Sequence, residues 1–269
     1  MTVRLAKWIR VSPLVAYFVL VFGIEWLLVL ILPSFVPAMI ALLIGSWLPN
    51  AIGLLVTGVA RGRPALRELF DKVVLWRIGL RWLAIALLLP VALTFLAIGL
   101  YTLLGNTVPE FAPASQLLPI VLITVFTGAL GEELGWRGTA LPRLQSRWTP
   151  LISSLVLGLL WGLYHLPALL LSGFPQQELP ILPFIVASLA LTVLVTWTFN
   201  HTGGSLIPVF LYHFSFNLML NVTGTIGLPA LFSLLAGIAS VAAIAVIALD
   251  WRRFSTLAAG SKDGVWTIG

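Results

Sequence analysis

The sequence predicts an all-α polytopic membrane protein with about eight transmembrane helices, both termini cytoplasmic, and one surface amphipathic helix after the second span. Three observations predict it. Composition is the first: 60% of the 269 residues are hydrophobic and 9% are charged, against about 25% charged in a soluble domain, and mean hydropathy is +1.08. The second is a recurrence of apolar runs near the length of about 20 residues that a spanning helix requires. The third is the placing of all 15 lysines and arginines in, or at the span ends beside, alternate connections, the pattern of loops retained on the cytoplasmic side.

Taken in order, the expected spans are 13–32, 38–60, 80–104, 117–142, 150–171, 181–199, 204–222 and 226–249. The first follows Arg4, Lys7 and Arg10, as a signal peptide would. It is too long for an ordinary signal core, contains Glu25 and has no clear small-residue cleavage site, so it reads as a spanning helix. Proline and glycine punctuate the joins at Pro33, Pro37, Pro150, Pro180 and the pair Gly203–Gly204. Thr149 before Pro150 is a helix start, an N-cap followed by proline at the first position. Basic residues occupy the N-terminus, 61–81, 137–147 and the tail from Arg252, while 33–37, 105–116, 172–180 and 223–225 hold none. The segment 61–79 mixes basic and apolar residues and reads as an amphipathic helix lying on the membrane, anchored by Trp76, Trp82 and anionic lipid. No repeat or second domain is visible, so 1–269 is expected to form a single membrane domain with its catalytic core at about 117–222.

The composition excludes several functions. There are no cysteines, so disulfides, zinc–thiolate sites and cysteine nucleophiles are absent. The pI near 10.3 reflects membrane topology and no nucleic-acid partner is expected. The lipid bilayer is the expected surrounding partner.

Ionisable groups within spans are few, and each costs about 2.5–3.5 kcal/mol at mid-helix on insertion scales. Glu132, Glu133 and Arg137 lie in the fourth expected span, His165 in the fifth, His213 and Asn217 in the seventh, and Glu25 in the first. Glu133 and Arg137 are four apart in the favourable order for an ion pair. Glu132 points about 100° away and needs a partner from another helix or a wet cavity. Gly128, Gly131, Gly135 and Gly138 form a stripe that permits close helix approach. WGLYH places Trp161 and His165 on one helix face, and HFSFN does the same for His213 and Asn217. At about 1.5 Å per residue, Glu132 and Glu133 sit about 14–17 Å deep, His165 about 20 Å and His213 about 13 Å. Three helices thus deliver polar groups to one level.

Such a set can do hydrolysis. A glutamate with a histidine holds and deprotonates water, and a histidine with an asparagine donates to an oxyanion. A divalent metal such as zinc, held by Glu132, His165 and His213, is the alternative left open. Glu25 and Asn50 either line the same cavity or form packing hydrogen bonds; packing is the expected role.

Together these residues resemble the CPBP intramembrane proteases, the family of type II CAAX prenyl proteases and bacterial abortive-infection proteins. EELGWR, from Glu132 to Arg137, is similar to its EExxxR motif. WGLYH is similar to its FxxxH motif, HFSFN to its HxxxN motif, and NHTGGSLIP, from Asn200 to Pro208, to the stretch that often precedes the third. The resemblance covers about 117–222. It implies an eight-helix fold and an intramembrane endopeptidase, glutamate-type or metallo-type, that cleaves a membrane-associated peptide or protein near the cytoplasmic face. It also implies that Glu132 and His165 activate water, that His213 and Asn217 form the oxyanion site, and that Glu133 and Arg137 shape it. Trp161 departs from the usual phenylalanine and is read as a packing substitution. The short loops look bacterial, so the expected location is the bacterial inner (plasma) membrane. Two other readings use the same residues: a transporter or proton relay, and a non-catalytic immunity or scaffold protein. Inverted repeats and paired broken helices, common in transporters, are absent from the sequence.

Overall fold

The computed structural model describes residues 3–257, and every regular element among them is helical. In chain order the helices are α1 (Val3–Val11), α2 (Pro13–Ile31), α3 (Ala38–Ser46), α4 (Leu48–Val73), α5 (Leu80–Leu103), α6 (Ala114–Phe126) and α7 (Ala129–Glu133). A π-helical turn over Leu134–Ala140 leads into α8 (Leu141–Gln145). Then come α9 (Pro150–Tyr164), α10 (Leu166–Leu170), α11 (Ile181–His201), α12 (Ile207–Val222), α13 (Pro229–Leu249) and α14 (Trp251–Ser255).

Among the described residues, six stretches are long and apolar enough to cross a membrane: Pro13–Ser34, Ala38–Val73, Leu80–Leu103, Ala114–Gln145, Ile181–His201 and Pro229–Leu249. The other two expected spans are helical but shorter, at 15 residues for α9 and 16 for α12. Both carry site residues, and both are packed among the longer helices. The protein is an integral, multi-pass α-helical membrane protein.

Local chemistry sets the element ends. Thr149 accepts a hydrogen bond from the Ile152 backbone N–H at 3.4 Å, with Pro150 in the first turn, as its sequence requires. α4 bends sharply at Gly62, whose φ of 75° only glycine takes readily. Beyond that bend, residues 63–73 form a separate helix, shorter than the one expected over 61–79, and the exposed Val74 and Trp76 follow it outside the helix. The Leu206 N–H donates to the Lys72 carbonyl at 2.9 Å, and the Ser205 hydroxyl to the Leu75 carbonyl at 2.7 Å, pinning that helix against the α11–α12 connection.

At the centre is α11, buried along most of its length and packed between α9 and α13. Gly158 and Gly162 bring α9 close: a Cβ on Gly158 would lie 2.9 Å from the Leu189 Cα. The stripe in the fourth span works the same way against the α3–α4 joint. Gly131 lies on the Ser46 carbonyl and Gly135 on the Pro49 carbonyl.

The fourth span departs from the single helix expected over 117–142. It breaks at Thr127–Gly128, where Gly128 has φ −150° and ψ −106°. It then widens into the π-helical turn, a distortion frequent at functional sites. The glycine is required by packing there: a Cβ on Gly128 would lie 2.7 Å from Asn217 Nδ2, so α12 lies directly against the backbone.

Candidate active site

The break and the π-helical turn aim two adjacent carboxylates into different surroundings. Glu133 is fully buried. Its Oε1 and Oε2 accept from Arg137 Nη1 at 2.9 and 3.1 Å, the expected ion pair. Arg137 Nη2 also donates to the Thr192 hydroxyl on α11 at 3.1 Å. The Nδ1–H of His213 donates to Glu133 Oε1 at 2.6 Å, because an ionised carboxylate only accepts. Arg137 alone therefore does not account for Glu133; α12 supplies a second donor.

Glu132 is met by neutral donors. The indole N–H groups of Trp136, at 3.0 Å, and Trp161, at 2.7 Å, both donate to its Oε2. These bonds satisfy one oxygen without cancelling the charge. Trp161 is thus more than the packing substitution expected from sequence, since a phenyl ring has no N–H to donate. Trp161 is also the hub of the site. Its backbone carbonyl accepts from His165 Nδ1 at 2.8 Å. Its ring meets the rings of His165 and His213 edge-on, with centroids 5.4 Å apart in each case. The Arg137 guanidinium lies over it at 5.1 Å.

These bonds fix the imidazoles. A carbonyl accepts only, so the His165 proton is on Nδ1 and its Nε2 offers a lone pair when the ring is neutral. His213 Nε2 and Asn217 Nδ2 both approach Gly128, at 3.6 and 2.7 Å from the position a Cβ would take. Glu132, His165, His213 and Asn217 line one cavity of about 150 Å³. The structure therefore brings together the residues expected from three separate helices.

Glu25 reaches the same cavity, against the packing role expected from sequence. Its side chain is buried, with Oε2 lacking a hydrogen-bond partner. Asn50 does have the packing role: its Nδ2 donates to the Leu130 carbonyl at 2.6 Å, and its Oδ1 accepts from the Gly135 N–H at 3.0 Å. It spans the distorted segment from both sides. Tyr164, the neighbour of His165, lines the cavity too and donates to the Gly45 carbonyl at 2.9 Å.

Among the described residues, no three His, Cys, Asp or Glu side chains are grouped closely enough to hold an ion. The bonds to Glu132 Oε2, His165 Nδ1 and His213 Nδ1 leave the Nε2 atoms of both histidines facing other groups.

A wide apolar cavity of about 500 Å³ lies beside the site between α3 and α6, lined by Leu43, Trp47, Leu122 and Phe126 among others. Met39, Ile123 and Thr127 line both spaces, so the two share that wall.

Fold and site together define a multi-pass helical membrane protein whose buried cavity gathers acid–base side chains from four helical segments. Comparison with known proteins places it further. Residues 114–219 match the family described as type II CAAX prenyl endopeptidase Rce1-like. The chain is also 26% identical over 193 residues to CAAX prenyl protease 2 of Methanococcus maripaludis, covering 67% of this chain and 71% of that relative. The resemblance carried by the EELGWR, WGLYH and HFSFN segments is borne out, and the matched stretch contains all three.

Proposed function

We propose that the chain is an intramembrane endopeptidase that hydrolyses a peptide bond of a membrane-associated substrate with a water activated by Glu132 and His165. One observation carries this reading. Trp161 holds Glu132 through its indole N–H and His165 through its carbonyl, so a single residue fixes both groups at one cavity. Fixed geometry is what general-base catalysis needs.

In this reading the water donates to Glu132 and to His165 Nε2. Glu132 takes a proton as the water oxygen attacks the scissile carbonyl carbon. The carbonyl oxygen becomes an oxyanion that accepts from Asn217 Nδ2 and His213 Nε2. With Nδ1 already donating to Glu133, Nε2 carries an N–H only in the doubly protonated ring. Glu133 is then the counter-ion that supports that imidazolium, and Arg137 holds Glu133 in place. Collapse of the intermediate breaks the C–N bond, and Glu132 passes its proton to the leaving amine. The lack of a three-ligand group among the described residues supports this metal-free glutamate route, and cleavage is expected to survive exhaustive chelation.

The relative's name supports a prenylated substrate, as does the apolar space that shares a wall with the site. The short loops support placement in a bacterial inner membrane. The test is cleavage of a farnesylated CAAX peptide, and of its unmodified copy, by the protein in liposomes. Cleavage of the farnesylated peptide is expected, with a drop of about 10²–10⁴-fold in Glu132→Gln, the contribution typical of a positioned acid–base group. Unimpaired cleavage by that variant would remove Glu132 as the base.

A further inference from the structure

A second cavity, of about 230 Å³, opens against the same segment further along the chain. Gly138 of the π-helical turn and Pro142 of α8 contribute to its wall, and α4 and the start of α2 close it. Its charged lining is Arg61, Lys72, Arg143 and Arg147 against a single acid, Glu68. These four cations come from two of the basic connections.

Uncharged partners hold the cations furthest inside. Arg143 donates through Nη1 to the Thr139 carbonyl at 2.6 Å and through Nη2 to the Thr57 hydroxyl at 3.2 Å. The Lys72 ammonium lies 5.8 Å from the centroid of the Phe199 ring. Arg61 meets Glu68 at 3.6 Å, with both side chains about half exposed to solvent. Arg143 and Lys72 are thus positioned by neutral groups around a space that holds several waters, each about 30 Å³. Like charges so gathered repel one another, and an oxyanion relieves the repulsion. Arginine forks and a lysine point charge are the side chains that suit phosphate oxygens. Basic pockets between membrane helices at the cytoplasmic surface bind anionic headgroups by this chemistry. Basic connections are the retained ones, which puts this cavity at the leaflet rich in such lipids.

We propose that this cavity binds a phosphate-bearing anion, from a phospholipid headgroup or as free phosphate, and that the bound anion braces the π-helical turn that follows Glu132. The brace runs through Arg143, which holds the Thr139 carbonyl within the π-helical turn. The inference does not depend on the peptidase reading.

The test is the thermal unfolding midpoint of the purified chain in neutral detergent. It is titrated with dioctanoyl-phosphatidylglycerol, with dioctanoyl-phosphatidylcholine, and with inorganic phosphate. Phosphatidylglycerol is expected to raise the midpoint and phosphatidylcholine is not. In Lys72→Gln/Arg147→Gln the concentration for half the effect rises about tenfold or more, as expected for the loss of two charge-assisted contacts. Arg77→Gln/Arg81→Gln, which removes exposed cations outside the cavity, should respond as the parent does. If inorganic phosphate gives the same rise with the same loss in the cavity variant, the site stands and its ligand is free phosphate. No rise with either anion, or an equal loss in both variants, overturns the proposal.

Discussion

Glu132 and Glu133 are adjacent in sequence and equally hidden, yet their surroundings are opposite. Glu133 sits in a closed charge network with Arg137 and His213, at 2.9 and 2.6 Å. Glu132 touches two neutral indoles and opens on a cavity. Paired charge makes a carboxylate structural, because its ionised form is needed to satisfy its partners. Neutral donors anchor a carboxylate and leave it able to take a proton. The π-helical turn keeps both arrangements within one stretch, since the i to i+4 contacts Glu132–Trp136 and Glu133–Arg137 run side by side.

This contrast can be broken at several points. The largest effect is expected from Glu133→Gln, which leaves Arg137 and His213 buried without their carboxylate. Breaking a buried pair typically costs about 3–5 kcal/mol, so the variant should unfold at markedly lower temperature or lower denaturant than the parent. Next is Trp161→Phe, which removes the 2.7 Å bond to Glu132 and keeps a ring in place. A hydrogen bond to a charged group is worth about 1.5–3 kcal/mol. Cleavage should therefore fall about 10–100-fold in kcat/KM with folded yield little changed. Asn50→Ala should cost about 1–3 kcal/mol of stability by orphaning the Leu130 carbonyl and the Gly135 N–H. Glu25→Gln should act in the opposite direction and least. It removes a buried carboxylate whose Oε2 is unpartnered, so the unfolding midpoint should rise slightly. A fall would mean that Glu25 is paired when the protein is in its bilayer.

Much of this was legible in the sequence for physical reasons. Apolar runs fix where helices form, because backbone groups in lipid must be satisfied internally. The cost of intramembrane charge singles out the residues that share the cavity. What was not legible depends on neighbours distant in sequence. The break at Thr127–Gly128 was marked only by a glycine that equally read as part of a packing stripe, and what the glycine admits there is Asn217 on α12. The same holds for Glu25 and Asn50, whose roles differ only in which surface each faces across the fold. Trp161 was half legible: its position beside His165 was plain, but its bond to Glu132 crosses 29 residues. That tryptophan has an N–H where phenylalanine has none was the available signal.

The most direct test compares Glu132→Gln with Glu133→Gln in one preparation, reading unfolding midpoint and peptide cleavage together. The account predicts that Glu132→Gln keeps the parent's midpoint within a few degrees and loses cleavage. It predicts that Glu133→Gln loses midpoint first, with cleavage falling as the folded fraction falls. Retained cleavage in Glu132→Gln, or a midpoint loss in it as large as that of Glu133→Gln, would contradict the division of labour between the two carboxylates.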